Sequence, residues 1–165
     1  MLTGKAIIRD ERKMVVSYIY DATRRGAKYS FNGRNWLNQG EFAEALLSYH
    51  LLGTLAKDAN TSFDKGSDIE LGETGISVKS SKATLTSVKL GGLTMEDKLA
   101  DYFSRTASNL WAWVVVLDDS FTTYYMDKET FTEFTMTFAS LQNDVIRYKT
   151  SSGKMLQWLE ERAGE

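Results

Sequence analysis

One short stretch, FDKGSDIELGETGISVKSSKATL (63–85), holds residues of the types that phosphodiester chemistry uses: Asp68, Glu70, Ser77 and Lys79. It reads as a hairpin with one strand at 67–71, a second at 76–80, and Gly72, Glu73, Thr74 and Gly75 as the loop between them. Glycine at both ends of such a loop is good turn chemistry. Side chains alternate along a strand, so Ile69, Leu71, Ile76 and Val78 share one face, and Asp68, Glu70, Ser77 and Lys79 the other. Pairing Leu71 with Ile76 would set Glu70 opposite Ser77 and Asp68 opposite Lys79. Carboxylates gathered around a lysine suit metal-assisted phosphodiester hydrolysis. Mg²⁺ takes oxygen ligands, usually one or two carboxylates plus water and phosphate. A neighbouring lysine orients the attacking water and offsets charge developing on the phosphate. The bland alternative is a solvated hairpin face with one cross-strand Asp–Lys pair, worth about 0.2–1 kcal/mol.

These residues resemble the signature of the PD-(D/E)xK nuclease superfamily, which includes restriction endonucleases and Holliday-junction resolvases. In that family an aspartate opens one strand of a hairpin and a (D/E)xK tripeptide lies on the next. Ser67-Asp68 matches the first position and Ser77-Val78-Lys79 the tripeptide, with no proline and with serine in place of the acid. The resemblance covers about residues 40–131. It implies a restriction-endonuclease-like α/β fold and Mg²⁺ as cofactor, with Mn²⁺ able to substitute. It also implies a catalytic set of Asp68, Ser77 and Lys79, to which the Val78 carbonyl adds a metal ligand.

Two residues are candidates for the missing acid. The family often draws a glutamate from its first core helix, and QGEFAEALLSYHLLGTLA supplies Glu41 and Glu44. An apolar stripe of Phe42, Ala45, Leu46, Tyr49, Leu52 and Gly53 puts Glu41 about 80° from its centre and Glu44 about 140°, at roughly 100° per residue. Glu41 therefore borders the core and is favoured, while Glu44 is expected to face solvent. Glu70, on the hairpin itself, is held in reserve.

Composition bounds the reading. The chain has 165 residues, 42% of them hydrophobic, which suits one domain with a proper core. It has no cysteine, hence no disulfide framework and no zinc–thiolate site. With no signal-like N-terminus and no apolar run long enough for a span, no membrane association is expected. A cytoplasmic, bacterial or phage-encoded protein is expected. The net charge of −2 gives no global signature of nucleic-acid binding. Basic residues nevertheless cluster at Arg24, Arg25, Lys28 and Arg34, and again at Lys79, Lys82 and Lys89. The single histidine, His50, reads as structural.

Helical spacing predicts an N-terminal helix over about 5–25, then a loop through GAKYSFNGRNW and the glutamate helix at about 36–56. After the hairpin, SSKATLTSVKLGG is polar. By resemblance its Ser80, Ser81, Lys82 and Thr84 contact DNA backbone. Thr94 is a cap for the helix of MEDKLADYFSR, and LWAWVVV reads as a central strand covered on both faces. FTTYYMD pairs with it, a helix starts at Asp127, and VIRYKT is a short strand before a last helix. Trp111, Trp113 and Trp158 are expected in the core. The whole reads as a mixed sheet flanked by helices in a single domain. The expected activity is a Mg²⁺-dependent DNA endonuclease, a small Type II restriction enzyme acting as a homodimer. The alternatives are a structure-specific resolvase or repair nuclease, and a non-catalytic DNA-binding module with a degenerate site.

Overall fold

The computed structural model describes residues 7–13, 17–21, 26–31, 34–36, 39–53, 68–80, 90–117, 120–148 and 153–163. In chain order the elements are β1 (Ile7–Lys13), β2 (Ser17–Asp21), β3 (Gly26–Phe31), β4 (Arg34–Trp36), α1 (Gln39–Leu52), β5 (Ile69–Leu71) and β6 (Thr74–Lys79). Then come α2 (Met95–Arg105), β7 (Leu110–Val116), β8 (Ser120–Met126), α3 (Lys128–Phe138), β9 (Ala139–Gln142), β10 (Val145–Tyr148) and α4 (Gly153–Ala163).

A five-stranded mixed sheet, ordered β1-β8-β7-β6-β5, forms the centre. The β6–β7 pair is parallel and the other neighbours are antiparallel. Parallel neighbours need a long crossover, and α2 lies within it. The central strand β7 is apolar on both faces because both are covered. Trp111 and Trp113 enter one core with Leu99 and Tyr102 of α2, Phe131 and Phe134 of α3, and Met155 and Leu159 of α4. Trp111 stacks on Phe131 with centroids 5.0 Å apart and ring planes within 7°. Ala112 and Val114 face the opposite way, into a second core with Phe42, Ala43, Leu46 and Leu47 of α1. Each fully buried large side chain contributes about 1.5–3 kcal/mol, so the two cores clamp the sheet from both sides.

Helix α1 is covered on two sides. Its contacts run to β5, β6 and β7, and also to β3 and β4 of a separate three-stranded sheet ordered β2-β3-β4. Ala45 and Ser48, on the flank turned away from Ala43 and Leu47, are buried as well. The layers are therefore small sheet, α1, central sheet, and the helices α2, α3 and α4 together with the β9–β10 hairpin.

The expected mixed sheet flanked by helices is present, and so are α2 with Thr94 as its cap, α3 with Asp127, and α4. The N-terminus differs: the predicted helix over 5–25 is β1 and β2. β1 pairs with β8 from Ile7↔Met126 to Lys13↔Ser120, and the GAKYSFNGRNW loop is β3 and β4. Ladder hydrogen bonds to β8 outweigh a spacing pattern carried by few apolar residues.

The hairpin register also differs from expectation. Ile69 pairs with Ile76, Glu70 with Gly75 and Leu71 with Thr74, leaving a two-residue turn of Gly72 and Glu73. Gly72 has φ +63° and Glu73 is not left-handed, the pattern of a type II′ turn. The slip is two residues, so the faces are kept while the partners change. Gly75 is held tightly. Its amide donates to Asn109 Oδ1 at 3.0 Å, and its carbonyl accepts the Asn109 amide at 2.9 Å. A Cβ there would lie 2.7 Å from the Ala107 carbonyl oxygen.

Candidate active site

Asp68 stands just before β5. Its amide donates to the Ile76 carbonyl at 2.9 Å, and its Oδ2 accepts the Val78 amide at 2.8 Å. A side-chain oxygen thus fills a place that a strand carbonyl would otherwise take, and the ladder between β5 and β6 stops there. Lys79, the next residue on β6, lies at this open end of the sheet edge. Burial pulls its pKa down, and the charges of Asp68 and Glu44 act against that shift.

Glu44 is the carboxylate from α1 that meets this pair. It is half-buried, and its pKa is pushed up to about 8. Burial is the main cause; Asp68 and Glu41 add to it, and Lys79 opposes it. Glu41 is exposed in the first turn of α1 and acts on Glu44 from there. The preference for Glu41 followed from a stripe centred near Tyr49. The face packed on the central sheet is instead Phe42, Ala43, Leu46 and Leu47. That face is turned by roughly 90° from the expected one, at about 100° per residue, and brings Glu44 closer to the sheet than Glu41. The readable sign is that QGEFAEALLSYHLL is apolar over most of its circumference, as a helix covered on two sides must be.

The other site candidates fall elsewhere. Ser77 is buried, and its Oγ lies 2.7 Å from Ser108 Oγ and 3.5 Å from Tyr102 OH. Tyr102 OH in turn accepts Trp111 Nε1–H at 2.9 Å. Glu70 pairs with Gly75 rather than Ser77 and is not among the charges acting on Glu44 or Lys79. The Val78 side chain packs in the core under α1. Ser80 is buried and donates to the Val114 carbonyl at 3.1 Å, so it anchors backbone instead of offering a surface contact. Arg34 lies in β4 opposite Phe31. Arg24, Arg25, Ser81, Lys82 and Thr84 lie outside the described residues.

The cluster's donor chemistry fits a hard divalent cation. Among the described residues no three such side chains converge into a ready-made cage. Mg²⁺ needs only one or two carboxylates, because water and phosphate complete its shell. Like-charge crowding of Glu44 with Asp68 and Glu41 is the kind of strain that a bound cation relieves. Loading it would release the Glu44 proton.

Also among the described residues, no helix is long and apolar enough to cross a membrane. Comparison with protein-family models, with curated proteins and with solved structures finds no match for this chain, so the functional reading rests on its own geometry.

Proposed function

We propose that this protein is a metal-dependent DNA endonuclease, a small restriction-type enzyme working as a homodimer. One observation carries the reading: Glu44 of α1, Asp68 just before β5 and Lys79 at the end of β6 lie close enough for their charges to act on one another. Asp68 and Glu44 would hold Mg²⁺, which when bound polarises the phosphoryl oxygen and lowers the pKa of a coordinated water. Asp68 is fixed by the Val78 amide, so its free oxygen is presented without side-chain searching. Lys79 places a positive charge beside the reacting phosphate and orients the incoming water. Its partial desolvation strengthens both effects. A chain with one such site cuts both strands of a duplex as a two-fold dimer.

The test is plasmid and linear-duplex DNA incubated with the full chain in Mg²⁺ or Mn²⁺, beside Asp68→Ala and Lys79→Ala. Cleavage by the wild type, lowered at least about 100-fold in either variant with DNA binding kept, is the expected result. Discrete fragments from linear duplex fit the restriction reading, and cutting confined to four-way junctions replaces it with a resolvase. DNA binding with no cleavage in either metal overturns the enzyme and leaves a binding module.

A further inference from the structure

A second polar group lies at the other end of α1, away from Glu44. There a cleft of about 470 Å³ opens on the α1 side of the central sheet, a size typical of small-ligand sites. Ile8, Leu71, Ile76 and Leu110 give it an apolar wall, and Tyr125 adds a ring. Ile8 and Leu71 are 45% and 42% exposed, so apolar surface faces solvent here without a cover among the described residues.

The polar corner is His50 with Asp10. His50 Nε2 lies 3.0 Å from Asp10 Oδ2, and Arg12 Nε donates to the same oxygen at 3.2 Å. Among the described residues Asp10 Oδ1 accepts no hydrogen bond. A partly buried carboxylate oxygen beside an apolar wall calls for an N–H donor on a flat, apolar body. Burial also lifts the Tyr125 phenol to about 12, keeping it neutral at physiological pH.

We propose that this cleft is a base-binding subsite that takes a nucleobase with an exocyclic amino group, as cytosine and adenine have and thymine lacks. The ring lies against the apolar wall and the amino N–H donates to Asp10 Oδ1. Carboxylates accept from the cytosine amino group, whereas thymine carries a carbonyl oxygen in place of the amino group and binds more weakly. The inference rests on the nuclease reading, because a nuclease is what would bring an extruded base here. The spacing agrees: α1 rises about 9 Å from Glu44 to His50, on the order of three base steps at about 3.4 Å each. A base displaced from the duplex a few steps from the scissile phosphate would therefore reach the cleft.

His50 is the single histidine, so its imidazole proton signals report on the cleft without ambiguity. The full chain in EDTA is titrated with dCMP, dAMP, thymidine monophosphate and deoxyribose 5-phosphate while those signals are followed. The expected result is a saturable shift with dCMP and dAMP, about tenfold weaker binding of the thymidine nucleotide, and no response to the sugar phosphate. Leu71→Trp, at an exposed rim position, abolishes the shift, and Asp10→Asn removes the preference for dCMP. No saturable shift with either amino nucleotide overturns the proposal. So does an equal response to thymidine monophosphate or to deoxyribose 5-phosphate. Since no metal or cleavage enters the readout, a chain that cuts DNA without responding to dCMP loses the subsite alone. One that binds dCMP here but never cuts loses the nuclease reading alone.

Discussion

The Asp68 carboxylate accepts the Val78 amide at 2.8 Å, so the acid next to Lys79 is also the group that ends the β5–β6 ladder. Asp68→Asn keeps an acceptor and the fold, whereas Asp68→Ala leaves the Val78 amide without its partner. Unfolding midpoints in urea should place the alanine variant about 1–3 kcal/mol below the asparagine one. Both should lose metal-dependent cleavage.

Glu44 makes stability depend on pH with a definite sign. Its folded pKa of about 8 lies above the ordinary carboxylate value of 4.5. The native state therefore holds a proton that the unfolded chain has released between those values, and stability falls as pH rises through that window. The loss is at most about 5 kcal/mol, at roughly 1.4 kcal/mol per pH unit. The lowered pKa of Lys79 acts in the opposite sense, with stability recovering as pH climbs from its folded value towards 10.5. Glu44→Gln should flatten the fall between about pH 5 and 8 in a series of thermal melts. An unchanged profile would show that Glu44 is not the titrating group.

Among the acids, Glu44→Gln should reduce cleavage about 100-fold or more. Glu70→Gln should stay within about threefold of wild type, since Glu70 pairs with Gly75 and is not among the charges acting on Glu44 or Lys79. Single-turnover cleavage rates at saturating Mg²⁺ distinguish them, and a large loss in Glu70→Gln would relocate the site.

Restoring an acid to the tripeptide should harm the protein. Ser77 is 5% exposed and lies against the hydroxyls of Ser108 and Tyr102, so Ser77→Asp buries a carboxylate in a space packed for a small hydroxyl. A loss of several kcal/mol in unfolding free energy is expected, with no gain in cleavage. Ser77→Ala should cost about 1–3 kcal/mol and leave cleavage within a few-fold.

Gly75→Ala should also destabilise, by about 1–3 kcal/mol, because the new methyl meets the Ala107 backbone at 2.7 Å. Chemical denaturation against wild type checks it.

The sequence was legible where one local signal had one meaning. Thr94 and Asp127 accept amides three residues on, as caps do, and the apolar run of β7 is a doubly covered strand. It was illegible where a partner far along the chain decides. β1 is charged at every position from Arg9 to Lys13, and only its ladder with β8 makes it a strand. Within the expected loop GAKYSFNGRNW, Asn-Gly is a strong hairpin sign between apolar runs, and Phe31 does pair with Arg34. For the candidate site, the hairpin pattern already brings Asp68 and Lys79 to one end of the β5–β6 pair. Glu44 is half-buried instead of solvent-facing because α1 is covered on two sides, which a single apolar stripe does not reveal.

The parallel β6–β7 pair has a temporal consequence. Lys79 sits on a strand whose far neighbour is synthesised only after α2, and the β5–β6 hairpin alone is too small to be stable in water. Pairings that span a crossover also form slowly. A nascent chain halted before Leu110 would carry Glu44, Asp68 and Lys79 with no scaffold to align them. If the cluster acts as proposed, it would be silent during translation and complete only once the later strands have emerged and docked.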